Sequence, residues 1–128
     1  MKKILVTRRL LVECEEKASK IFDAKLNSND ELYSQSRLIE LSQGNDAILT
    51  SLTDKMDEET INKLPNSIKV VSNFAVGFGN INLEAATKRG IVVTNTPEVL
   101  SDATAEIGIL LILGACRRVS EGIQSAKE

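Results

Sequence analysis

Short apolar runs alternate along the chain with stretches in which apolar residues recur every three or four positions. Ile4-Leu5-Val6 reads as a buried strand. Leu11, Cys14, Ala18, Ile21 and Phe22 then fall on one face of an amphipathic helix, with Glu13, Glu16, Lys17 and Lys20 mostly off it. Ala24-Lys25-Leu26 is a weak strand, and Asp30 to Gln43 predicts a second helix closed by Gly44. Ala47 to Thr50 is a third strand. Asp57 caps a short helix, with Glu58 and Glu59 in its positive first turn and Pro65 ending it. Lys69 to Asn73 is a fourth strand. Asn82 caps a helix running to Arg89, and Gly90 supplies the left-handed position beyond it. Ile91 to Thr94 is a fifth strand, and a long helix follows from about Asp102 with Ser101 as its cap. Five alternations with short connections predict an α/β chain with a doubly wound, parallel five-stranded sheet.

The last helix breaks the pattern. From Ile107 to Cys116 it is apolar on every face, and such a helix needs burial on all sides. One sheet face cannot provide that. Each aliphatic side chain left exposed forgoes ~1.5–3 kcal/mol. A second body absent from this chain, or self-association, is therefore expected. The expected assembly is a homodimer paired through the helix at 102–120, or swapped between sheets.

Composition narrows the class. The 128 residues are 42% hydrophobic, enough for one domain with one core. Aromatics make up 3% and Trp is absent, so the core is built from Ile, Leu, Val and Ala. The net charge of −2 comes from intermixed charges without a basic stripe, and no nucleic-acid partner is expected. The apolar run after Lys2-Lys3 has three residues, against the ~7–15 of a signal peptide. The run Ile107 to Cys116 falls short of the ~20 residues that span a bilayer. No membrane partner is expected, and the expected location is cytoplasmic. Cys14 and Cys116 sit in apolar helical contexts and read as buried thiols. There is no histidine, so no hydrolase triad, His-ligated zinc site or His general acid can be built from these residues, and no metal site is expected.

Ligands of doubly wound sheets bind beyond the carboxyl ends of the strands. Three segments fall there: Thr7-Arg8-Arg9, Thr50-Ser51-Leu52-Thr53 and Phe74-Ala75-Val76-Gly77-Phe78-Gly79-Asn80. Gly77 and Gly79 bracket a turn that either presents N–H groups to an anion or simply joins strand to helix. The turn fails the dinucleotide fingerprint, because Asn82 stands where the third glycine belongs, although Glu98 lies near the expected acidic position. Arg8 and Arg9 either attract an anionic substrate or, as exposed arginines usually do, serve as solvated surface residues, the reading favoured here. Leu52 either lines a pocket or finishes the core. A phospho-receiver is excluded, since its clustered strand-end acids are replaced here by Thr7-Arg8-Arg9 and Thr50-Ser51-Leu52.

The segment from Ala75 through Thr94-Asn95-Thr96-Pro97-Glu98-Val99-Leu100 to Glu106, continued by Leu110 to Gly122, resembles the D-isomer-specific 2-hydroxyacid dehydrogenases, in particular the glyoxylate and hydroxypyruvate reductases. The resemblance implies a flavodoxin-like substrate domain over 1–100 and an interdomain helix over 101–128 leading to a Rossmann domain outside this chain. It implies that Leu52 and the N–H groups of Val76 and Gly77 contact a small 2-keto or 2-hydroxy acid. It also implies that Val76, Leu100 and Thr104 lie against NAD or NADP. The family's arginine, glutamate and histidine would follow residue 128, so no catalytic residue is assigned and the chain alone is expected to be inactive and to bind cofactor weakly. The alternative is a free-standing, non-catalytic module that binds a small carboxylate. The family often has aspartate at the positions of Gly79 and Asn82, and glycine at that of Glu98.

Overall fold

A computed structural model describes residues 1–127, which separate into two compact units that divide between Pro97 and Glu98. The first unit holds strands β1 (Lys3–Val6), β2 (Asp23–Lys25), β3 (Ala47–Thr50), β4 (Val70–Asn73) and β5 (Val92–Thr94). Between them run helices α1 (Val12–Ile21), α2 (Gln35–Leu41), α3 (Glu58–Lys63) and α4 (Leu83–Lys88). All pairings are parallel, in the order β2-β1-β3-β4-β5. The reversal of direction at β1 makes the sheet doubly wound.

Register explains the core. Leu5, Ile48, Val71 and Val93 form one row across four strands. Ile48, Val71 and Val93 pack with Leu38 of α2, Ile61 of α3, and Ala85 and Ala86 of α4. The next residues on that face, Thr50 and Asn73, are paired, polar and buried, and they lie at the carboxyl ends of their strands. The opposite face carries the row Ile4, Ala47, Val70 and Val92. There an open groove of about 420 Å³ runs over Ile4, Phe22, Leu49 and Val70, near the amino ends of β1, β3 and β4.

The anticipated caps at Asp57 and Asn82 are present, accepting from the N–H groups of Thr60 and Ala85. Gly44 and Gly90 have φ of 75° and 65°, the left-handed conformation a glycine tolerates without cost. The second helix is shorter than Asp30 to Gln43. Asp30 itself is left-handed at φ 52°, and Ser34 caps the helix on Arg37. Buried Asn27 donates to the carbonyls of Thr7 and Glu31, holding the preceding segment as a loop. α1 forms where expected but contains no fully buried residue.

The second unit contains α5 (Ser101–Cys116) and α6 (Val119–Ser125). Ser101 is the first helical residue and not the cap. Leu100 takes the cap position, without a side-chain bond. The anticipated continuous helix to residue 120 is broken by Arg118, whose φ of 51° starts α6 afresh. Ile107, Ile109, Leu110, Leu111, Ile112 and Leu113 are exposed, so the burial expected for this helix is not met within the chain. Cys14 and Cys116 are free and exposed, correcting their reading as buried thiols. Cys14 lies within α1, which has no fully buried residue, and Cys116 is the last residue of α5, which has none either. No helix among the described residues is long and apolar enough to cross a membrane.

Candidate functional site

Three loops leave the carboxyl ends of β1, β3 and β4, and hydrogen bonds knit them together. Asp54 is the node. Its side chain is buried, and a single carboxylate oxygen accepts from Thr7 Oγ1 at 2.5 Å, Thr50 Oγ1 at 2.8 Å and the Ser51 N–H at 2.9 Å. This fixes the loop carrying Leu52, which is 61% exposed. The sequence reading passed over Asp54. Its signal was the spacing Ser51-x-x-Asp54, in which an acid reaches back to the N–H at the start of a turn.

Asn80 joins that loop to the next. Its Nδ2 donates to the carbonyls of Ser51 and Asp54, both at 3.0 Å. Its Oδ1 accepts from Asn73 Nδ2 at 3.1 Å, and the same Asn73 nitrogen donates to the Gly77 carbonyl at 2.8 Å. Asn73 Oδ1 is buried without a hydrogen-bond partner. The structure thus ties the loop of Leu52 to the turn of Val76 and Gly77.

The turn's carbonyls are taken up in succession. The Ala75 carbonyl accepts from the Thr96 N–H at 2.9 Å, the Val76 carbonyl from Asn95 Nδ2 at 2.7 Å, and the Gly77 carbonyl from Asn73. The N–H groups of Val76, Gly77 and Phe78 donate to no protein acceptor among the described residues. Val76, Gly77, Phe78 and Gly79 are all exposed. Neither Gly77 nor Gly79 has a positive φ, and a Cβ on either would meet nothing within 4 Å. The fold does not require glycine at these two positions. Glycine there leaves the backbone open to approach.

Arg8 is committed elsewhere. It pairs with Asp30 through two nitrogens at 2.7 and 2.8 Å and donates to Thr53 Oγ1 at 2.8 Å. The Arg8 bonds, with the Arg9 N–H at 2.9 Å, hold the Asp30 carboxyl far below the usual carboxylate range. Arg9 is exposed. Leu100 and Thr104 lie in the second unit, at the start of α5, and both are exposed. The Thr104 N–H closes the first helical bond onto the Leu100 carbonyl.

The turn does not fit a dinucleotide's pyrophosphate. α4 has six residues, its cap position is filled by Asn82 bonding Ala85, and the Asn82 N–H donates to the Met56 carbonyl. Two of the N–H groups at its amino end, those of Asn82 and Ala85, are therefore already engaged within the protein, and the third glycine that lets a pyrophosphate approach is replaced by Asn82. Among the described residues no group of His, Cys, Asp or Glu could hold a metal ion.

A doubly wound domain with two linked loops at its carboxyl edge, one carrying N–H groups without protein acceptors and the other an exposed leucine, is of the parallel α/β class whose ligands bind at that edge. Comparison with known proteins gives the family. The profile of the D-isomer specific 2-hydroxyacid dehydrogenase catalytic domain matches residues 4–121, and the chain belongs to that family. A glyoxylate reductase of Thermococcus litoralis is 38% identical over 93% of this chain and 36% of its own length. A glycerate dehydrogenase of Hyphomicrobium methylovorum is 38% identical over 94% of this chain and 38% of its own. The crystal structure of a glyoxylate reductase from Paecilomyes thermophila superposes with a TM-score of 0.78 at 28% identity, over 92% of this chain and 39% of that one. The chain therefore spans well under half the length of these relatives.

Proposed function

We propose that this chain is the substrate-side domain of an oxidoreductase that transfers a hydride between NAD(P)H and a small 2-keto or 2-hydroxy acid such as glyoxylate or hydroxypyruvate. The observation that carries the reading is the pair of adjacent, exposed N–H groups at Val76 and Gly77, unbonded within the protein and tied through Asn73 and Asn80 to the loop of Leu52. Two such donors suit a carboxylate, whose oxygens each accept a short bond. Leu52 offers an apolar contact to the rest of a small acid. A bound reduced nicotinamide supplies the hydride. This chain's part is to hold and orient the acid, with Val76, Leu100 and Thr104 as contacts at the cofactor's edge. Family membership and the named relatives support this reading. Residues 101–128 then serve as the interdomain helix, and the exposed aliphatic side chains of α5 support a homodimer formed through it. Two free thiols suit a reducing, cytoplasmic setting.

The test is titration of the uniformly ¹⁵N-labelled chain with glyoxylate and, as a non-reacting mimic, oxalate. Saturable shifts centred on the Val76 and Gly77 amides are expected, with sodium chloride at equal ionic strength producing none. Shifts scattered over lysine and arginine side chains, without a response at 76–77, would remove the carboxylate site.

A further inference from the structure

We infer that Asn95, in the loop after β5, is a positioning residue that aims the N–H groups of the anion turn. The inference rests on the carboxylate reading above and adds how the site is held. In a trans peptide the N–H points opposite to the carbonyl of the same unit, and no peptide bond among the described residues is cis. The Ala75 carbonyl is drawn to the Thr96 N–H, and the Val76 carbonyl to the Asn95 side chain. Both acceptors are thus held toward the segment after β5. The N–H groups that share those peptides, Val76 and Gly77, must point the other way. β4 lies between β3 and β5 in the sheet, so the other way is the β3 side, where the Asp54 node fixes the loop of Leu52.

Two successive peptides with the same orientation are unusual for chain leaving a strand, where orientations alternate. They produce two parallel N–H groups, the element of an anion-binding nest. The first peptide is held by a main-chain bond from the Thr96 N–H, which falls past the end of the β4–β5 ladder and two residues out of its register. The second has no main-chain partner for its carbonyl, which is held by the Asn95 carboxamide at 2.7 Å. Gly77, with open space around its Cβ position, imposes no orientation of its own. Asn95 is half-buried and carries the side-chain bond to the Val76 carbonyl, the one such bond among the described residues on the peptide that bears the Gly77 N–H.

The experiment uses the 128-residue chain, Asn95→Ala, Asn95→Asp and Asn95→Gln, with oxalate as the probe. Amide spectra and thermal unfolding establish that each variant is folded. For Asn95→Ala the oxalate dissociation constant is expected to rise about tenfold, the equivalent of ~1.4 kcal/mol. The Gly77 amide should shift and lose order before any ligand is added, with the melting temperature unchanged within about 2 °C. Asn95→Asp, which sets a carboxylate against the Val76 carbonyl, is expected to weaken binding at least as much. Asn95→Gln keeps the carboxamide donor and is expected to recover binding to within about threefold. A folded Asn95→Ala that binds oxalate as the parent does overturns the positioning role and leaves the carboxylate site standing. A parent chain that shows no saturable response at Val76 and Gly77 overturns the carboxylate reading itself, and the inference with it. Equal weakening by Asn95→Gln and Asn95→Ala overturns it too, because a general loosening of the loop would then explain both.

Discussion

Replacement of Asp54 by alanine removes an acceptor shared by three donors at the candidate site. The carboxylate is buried, and one of its oxygens accepts from Thr7 Oγ1, Thr50 Oγ1 and the Ser51 N–H. The Thr7 hydroxyl also reaches the Leu49 carbonyl at 3.2 Å and keeps a partner when Asp54 is lost. The Thr50 hydroxyl and the Ser51 N–H do not. Each buried donor left without an acceptor costs about 1–3 kcal/mol, and bonds to a charged acceptor lie toward the upper end. The loss should be about 4 kcal/mol, a large part of the stability of a domain this size. Urea unfolding followed by far-ultraviolet circular dichroism measures it. With a slope of about 2 kcal/mol per molar urea, the midpoint should fall by about 2 M. Asp54→Asn is the informative companion. All three donors converge on one oxygen, so an asparagine can present its carbonyl oxygen to them and lose only the charge assistance, about 1–2 kcal/mol. A loss below about 1 kcal/mol in Asp54→Ala, or equal losses in the two variants, would refute the node.

Three further outcomes are expected. Glu98 has a φ of 65°, where a side chain is strained. Glu98→Gly should raise stability by up to about 1 kcal/mol, and unchanged or lowered thermal stability would show that the strain is offset by contacts of the Glu98 side chain. Gly77 has no positive φ and open space about its Cβ position. Gly77→Ala should leave melting within about 2 °C while weakening oxalate binding several-fold, and undiminished binding in calorimetry would place the anion elsewhere. The third concerns acid. Asp57 is held well below its usual pKa by the Thr60 N–H, then by Lys55, and Asp30 and Asp46 are lowered by Arg8 and Lys2 respectively. A depressed folded-state pKa contributes stability that is full above the unfolded value near ~4 and is lost as pH falls toward the folded value. Melting temperature should be flat from pH 7 to about 5 and fall steadily below about 4, and a midpoint that stays constant down to pH 2.5 would contradict these pairings.

Much of the fold is legible in the sequence because single residues carry it. The row Leu5, Ile48 and Val71 announces itself as the centre of three short apolar runs. Asp57 and Asn82 mark helix starts, and Gly44 and Gly90 mark ends, through local backbone chemistry that does not depend on the rest of the molecule. The errors lie where long-range contacts decide. The start of α2 is displaced because Asn27 reaches the Thr7 carbonyl twenty residues away, and Asp30 is claimed by Arg8. The break at Arg118 and the exposure of Cys14 and Cys116 have no periodic signature. At the candidate site the strand ends and the Val76–Gly77 turn are visible from topology alone. Asp54, Asn73, Asn80 and Asn95 do not stand out, because their work consists of hydrogen bonds to loop main chain and to other polar side chains brought together only by the fold, and polar residues near loops are too common to single out.

The central claim, that this chain supplies the acid-binding half of a 2-hydroxyacid dehydrogenase, is tested most directly by a chimera. The stretch of the Thermococcus litoralis glyoxylate reductase that this chain matches, 36% of that protein, is replaced by the present sequence. Consumption of NADH or NADPH is then followed with glyoxylate and with hydroxypyruvate. Turnover that depends on one of these acids, and that falls in Asn95→Ala and Gly77→Ala chimeras while their folding is unchanged, is the predicted result. A folded chimera that binds the nicotinamide cofactor but turns over neither acid would contradict the claim.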